Sequence, residues 1–98
     1  MIINKKQDGS ALVVALEGRL DTTTAPELEQ ELKSSLDGIT DLTLDMTNLD
    51  YISSAGLRVL LSAHKTMLKQ GTMKVTNASE IVREVFEVTG FSDILTIE

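Results

Sequence analysis

The sequence predicts an α/β fold, a mixed β-sheet packed with α-helices in the order β-β-α-β-α-β-α-β. Three observations carry this. Residues 11–16 (Ala-Leu-Val-Val-Ala-Leu) form a continuous apolar, partly β-branched run, the signature of a central strand. Residues 41–46 alternate apolar and polar, the signature of a strand with one face in the core. Between and after them lie segments whose apolar residues recur at spacings of three and four, as on the buried face of a helix. Strands alternating with helices require crossover connections, and hence a largely parallel or mixed sheet.

Residues 2–6 read as an edge strand, turned back at Asp8-Gly9 into a hairpin. Residues 11–16 follow as a strand buried on both faces. Residues 24–37 predict the first helix. Thr24 and Glu27 make a capping box, and Pro26 is tolerated in the first turn. Ala25, Leu28, Leu32 and Leu36 share one face, Glu29 and Lys33 form an i,i+4 pair, and Gly38 stops the helix. After the strand 41–46, residues 47–52 read as a loop leading to a second helix over 54–70. Its stripe is Leu57, Leu60, Leu61, His64, Met67 and Leu68, with Gly71 after it. Residues 72–76 predict a short strand. Asn77 with Glu80 then caps a third helix carrying Ile81, Val82, Val85 and Phe86, closed by Gly90. Residues 94–97 predict a last strand. At 98 residues the chain is expected to be a single domain, 1–98.

Composition excludes much. The chain is 42% hydrophobic and 24% charged, ordinary for a soluble globular fold. It has no cysteine, which removes disulfides, thiolate zinc and iron–sulfur chemistry. With one histidine, a histidine-based metal site would need carboxylates for its other ligands; no metal or cofactor is expected. A net charge of −6 argues against nucleic acid and anionic membranes, and Tyr51, Phe86 and Phe91 offer no platform for stacked bases. The apolar run at 11–16 is far short of the ~20 residues that span a bilayer, so no membrane insertion is expected. The opening Met1-Ile2-Ile3-Asn4-Lys5-Lys6 reverses the order of a secretory signal, which points to the cytoplasm. There is no Gly-x-x-x-x-Gly-Lys-Ser/Thr loop. On one helix His64 sits ten residues (64 − 54) beyond Ser54. At ~1.5 Å per residue that is roughly 15 Å, too far to act as its base. No enzyme is expected.

The informative stretch is Ile52-Ser53-Ser54-Ala55-Gly56-Leu57. Serine caps a helix by accepting a hydrogen bond from a free backbone N–H, and either serine fits that role. Two serines stand where one cap suffices, followed by two small residues that admit a close neighbour. A helix N-terminus also favours a phosphate. A phosphoserine there adds about −1.5 to −2 charges and would repel Asp45 and Asp50 if they stay close in space, switching a docking surface without refolding it. Asp21 and Asp45 have two readings each: satisfying nearby loop N–H groups, or lining the surface around Ser54. Arg58, at i+4 from Ser54, suits a phosphate, a partner carboxylate or solvent equally.

Four stretches in order carry a resemblance: Leu16-Glu17-Gly18-Arg19-Leu20-Asp21, Leu42-Thr43-Leu44-Asp45-Met46, Ile52-Ser53-Ser54-Ala55-Gly56-Leu57 and Val88-Thr89-Gly90-Phe91. Together they resemble the STAS domain, and within it the small bacterial anti-sigma factor antagonists. The resemblance implies a mixed sheet packed with helices and a phosphoacceptor serine at a helix start. That serine falls on Ser54, with Ser53 as second choice. Ser53 stands where well-studied members carry aspartate, and Ala55 where they often carry serine or threonine. The implied partner is an anti-sigma factor with serine kinase activity, which binds the unmodified antagonist, releases a sigma factor, and phosphorylates the antagonist with ATP. A phosphatase resets the serine. The implied docking surface comprises Asp21, Asp45, Ser53, Ser54, Ala55, Gly56 and Arg58, with Gly56→Leu expected to damage docking more than folding. The rival reading is a STAS-type accessory subunit or regulator of a membrane transport system. The expected state is a monomer, or a weak homodimer paired through an exposed strand edge.

Overall fold

The computed structural model describes residues 1–98. Strands β1 (Ile2–Asp8) and β2 (Ala11–Leu20) pair antiparallel as the Asp8-Gly9 turn predicts, with Gly9 at φ +60° where glycine is unstrained. Three βαβ-like steps follow: α1 (Ala25–Ser35) into β3 (Asp41–Ile52), α2 (Ser54–Leu68) into β4 (Thr72–Thr76), and α3 (Glu80–Thr89) into β5 (Thr96–Ile97) through a 3₁₀ turn at Phe91–Asp93. The strands lie in the order β1-β2-β3-β4-β5, with every pair after the first parallel. The mixed sheet and the element order match the sequence expectation.

The helices cover one face of the sheet. Leu12, Val14 and Leu16 of β2 are buried, and their register partners Leu42 and Leu44, then Met73 and Val75, continue the same rows. Val13 is 38% exposed, and Thr43 and Lys74, its neighbours across the sheet, lie on the same open side. The expectation that 11–16 is buried on both faces is therefore corrected. Val13 and Ala15 are apolar residues on an open face, and an unbroken apolar run does not distinguish the two cases.

Strand β3 runs six residues beyond the expected boundary. The segment 47–52, expected as a loop, stays paired with β2 as far as Leu20 opposite Ile52, across register shifts between Ala15 and Glu17 and between Gly18 and Arg19. Met46 and Leu49 are both buried, so the bulge breaks the period of two that marks a strand in the sequence.

Helix α1 has no capping box. The Thr24 hydroxyl donates to the Arg19 carbonyl at 2.8 Å and accepts from the Asp21 N–H at 2.8 Å, so it is committed to the preceding loop. Helix α3 is capped by Ser79, whose Oγ accepts from the Val82 N–H at 3.3 Å, and not by Asn77. Asn77 instead adopts φ +59°, a conformation asparagine tolerates. Val82 and Phe86 reach the core, while Ile81 of the expected stripe and Leu68 of α2 point to solvent. Twenty-five buried apolar residues form one core, and no polar side chain is buried in it.

Candidate functional site

Strands β2 and β3 end side by side. After the Leu20–Ile52 pair, the Ser53 N–H donates to the Leu20 carbonyl at 2.8 Å, and α2 begins at the next residue. This junction separates the two serines. Ser53 is extended (φ −97°, ψ 175°) and is the N-cap: its Oγ accepts from the Gly56 N–H at 3.3 Å, and its carbonyl accepts from the Leu57 N–H at 2.9 Å. Ser54, the first helical residue, is exposed, and its hydroxyl has no hydrogen-bond partner in the chain. The first turns of α1 and α3 hold Glu27 and Glu80, whereas that of α2 holds no acid. The positive end of the α2 dipole thus stands uncompensated beside a free hydroxyl.

Gly56 is buried. A Cβ on it would lie 2.6 Å from Leu20 Cγ and 2.9 Å from Ile52 Cγ1. Its bareness lets α2 settle onto the sheet, which gives Gly56 a packing role at this junction. Ala55 is half-buried and Arg58 exposed. Both line a depression of 260 Å³ with Thr22, Ala25, Pro26, Glu29 and Val59.

Asp21 follows Leu20 and so lies at the same end of the sheet as the serines. Its Oδ1 accepts from the Thr23 hydroxyl at 2.7 Å, the Thr23 N–H at 3.0 Å and the Thr24 N–H at 3.2 Å. The Thr23 hydroxyl is the main cause that holds this carboxyl below its ordinary value, with the threonine N–H groups adding to it against partial desolvation. Asp45 belongs elsewhere. It lies seven residues (52 − 45) up the strand from Ile52. At about 3.3 Å per residue that is on the order of 20 Å of strand. Its Oδ1 accepts from the Thr47 hydroxyl at 2.6 Å, the Thr47 N–H at 3.0 Å and the Asn77 Nδ2 at 3.2 Å. Thr47 is the main cause of its lowered carboxyl pKa. The carboxylate ties the β3 bulge to the β4–α3 connection, and no hydrogen bond joins it to Ser53 or Ser54.

Sequence reasoning missed one feature. Arg19 and Tyr51 are register partners one step before Leu20–Ile52, and the guanidinium lies 4.4 Å from the ring centroid, with its Nε 3.8 Å from Asp21 Oδ2. Only the pairing of β2 with the extended β3 reveals this, and no local pattern encodes it.

A family model described as the STAS domain matches residues 2–98. The chain belongs to the STAS domain family. The Bordetella bronchiseptica protein BtrV, named as a candidate anti-sigma factor antagonist, is 42% identical over 94 residues, spanning 94% of this STAS domain and 80% of BtrV. The anti-sigma-B factor antagonist of Bacillus subtilis is 31% identical over 96 residues, spanning 97% of this chain and 88% of its own. Among solved structures, an anti-sigma factor antagonist from Mycobacterium paratuberculosis matches with a TM-score of 0.89 at 23% identity, covering 98% of this chain and 83% of that one. The structural match establishes the fold. No helix of this STAS domain is long and apolar enough to cross a membrane.

Proposed function

We propose that this STAS domain is an anti-sigma factor antagonist, a non-enzymatic cytoplasmic regulator switched by phosphorylation of Ser54. Unmodified, it docks on an anti-sigma factor that is also a serine kinase, and so frees a sigma factor. The kinase then transfers the γ-phosphoryl group of ATP to Ser54 Oγ. ADP departs, and the hydroxyl proton passes to a base on the kinase. The doubly charged product no longer fits a surface formed for a neutral hydroxyl, and a phosphatase restores it.

The observation that carries this reading is the division of labour between the serines. Ser53 is occupied as the cap, while Ser54 offers an exposed, unbonded hydroxyl on the first turn of α2. Ser54, Ala55, Arg58 and Asp21 form the proposed contact surface, with Ser53 and Gly56 shaping it from beneath. Asp45 contributes by holding the β3 bulge. Relatives named as antagonists, at 31% and 42% identity, favour this reading over a transporter subunit. The test is incubation with ATP and the candidate kinase, followed by mass spectrometry. Ser53→Ala is expected to be phosphorylated at Ser54 and Ser54→Ala not at all; modification that persists in Ser54→Ala overturns the assignment.

A further inference from the structure

Leu20 and Ile52 are buried beneath the helices, so Arg19 and Tyr51, the pair before them, project from the open face of the sheet. The Arg19 side chain is 61% exposed, yet it is held in place. Its guanidinium lies 4.4 Å from the Tyr51 ring centroid, and its Nε lies 3.8 Å from Asp21 Oδ2. Asp21 is fixed in turn, because its Oδ1 accepts hydrogen bonds from Thr23 and Thr24. Contacts of this kind at an exposed site contribute little to folding. Their effect is to orient the guanidinium, so less side-chain freedom is lost when it binds. No hydrogen bond in the chain engages either terminal nitrogen, and that free fork matches a carboxylate through two parallel bonds.

The fork also lies close to the reacting hydroxyl. Tyr51 is three residues (54 − 51) from Ser54, which is at most about 11 Å by chain reach. Arg19 stands opposite Tyr51 on the neighbouring strand, about 5 Å away. A stable complex covers roughly 800 Å² of each partner, a patch of about 16 Å radius. A kinase centred on Ser54 therefore extends over Arg19.

We infer that Arg19 determines partner specificity: its guanidinium receives a carboxylate side chain of the anti-sigma factor that phosphorylates Ser54, and Tyr51 positions it. This rests on the function proposed above. The open face holds the fork away from α2, so its ligand is a side chain of the partner and not the ATP phosphate that must line up with Ser54 Oγ.

The test measures affinity for the purified kinase by calorimetry, with the kinetics of Ser54 phosphorylation, on variants whose thermal melts show them folded. Arg19→Gln should lose at least about thirtyfold in affinity, with a matching rise in KM and an unchanged kcat. Arg19→Lys keeps the charge without the fork and should recover only part of this. Tyr51→Phe keeps the ring and should bind as wild type, whereas Tyr51→Leu, with Arg19 intact, should bind more weakly. Lys69→Gln removes a positive charge at the far end of α2 and is the control. Arg19→Glu should regain affinity with one acid-to-lysine substitution on the kinase. Wild-type affinity and KM in Arg19→Gln, or a loss that Lys69→Gln reproduces, overturns the contact and leaves the Ser54 reading intact. Full affinity in Arg19→Lys overturns the fork, full affinity in Tyr51→Leu the positioning role, and the absence of any restoring kinase substitution the carboxylate. Failure of wild type to be phosphorylated at Ser54 overturns the Ser54 reading and this inference with it.

Discussion

Placing a carboxylate at position 54 should stabilise this domain while it abolishes docking. The first turn of α2, a helix of 15 residues, contains no acid to offset its dipole. A negative charge in the first turn of a helix contributes about 0.3–1 kcal/mol. Arg58, one turn on and in no ion pair, adds about 0.2–0.5 kcal/mol as an i,i+4 partner. The sum is about 0.5–1.5 kcal/mol. For a domain near this size each kcal/mol moves Tm by about 4–8 °C, so Ser54→Asp should melt roughly 2–12 °C above Ser54→Asn, its neutral isostere. The difference should shrink between low and high salt, because the charge is exposed and screened. Scanning calorimetry at two ionic strengths, paired with an affinity measurement on the same samples, checks both halves. A Ser54→Asp protein that melts below Ser54→Asn refutes the reasoning, because loss of docking would then follow from damage to the fold.

Other outcomes follow from the same geometry. Gly56→Ala should cost about 1–3 kcal/mol by overpacking against Leu20 and Ile52, read as a lower Tm, with Gly56→Leu worse; an unchanged melt contradicts the packing role. Ser53→Ala should lose about 0.5–2 kcal/mol of stability with the α2 cap and keep its phosphorylation, separating the serines in one melt and one kinase assay. Asp21 and Asp45 have folded pKa values below the ordinary carboxylate value. Their stabilisation is therefore complete above the unfolded pKa, about 3.9, and is lost as pH falls through the lowered folded values. The urea midpoint of wild type should drop below about pH 4 more steeply than that of the Asp21→Asn, Asp45→Asn double variant; equal slopes contradict the assignment.

The elements were legible where pattern and packing coincide. Asp8-Gly9 encodes a hairpin, the stripes of α1 and α2 encode buried faces, and the Ser-Ser-Ala-Gly run encodes a helix start. What stayed hidden depends on partners remote in sequence. Thr24 looks like a cap until the loop carbonyl of Arg19 claims its hydroxyl. Residues 47–52 look like a loop because the bulge at Thr47 spoils alternation, although β2 pairs with them throughout. Asn77 looks like a cap until Asp45 draws it to another strand and Ser79 takes the role. The candidate site shows the same division. The serine pair marked its place, but only the hydrogen bond from the Gly56 N–H to Ser53 says which hydroxyl is free. Gly56 looked like part of a surface, and the positions of Leu20 and Ile52 beneath it show why it is bare.

The most direct measurement is a calorimetric titration of one anti-sigma factor kinase with this protein, first unmodified and then carrying phosphoserine at position 54. A phosphate buried without a partner against a docking surface costs several kcal/mol in lost hydration, so affinity should fall by on the order of a hundredfold or more. Equal affinity for the two forms, with both folded, contradicts the account.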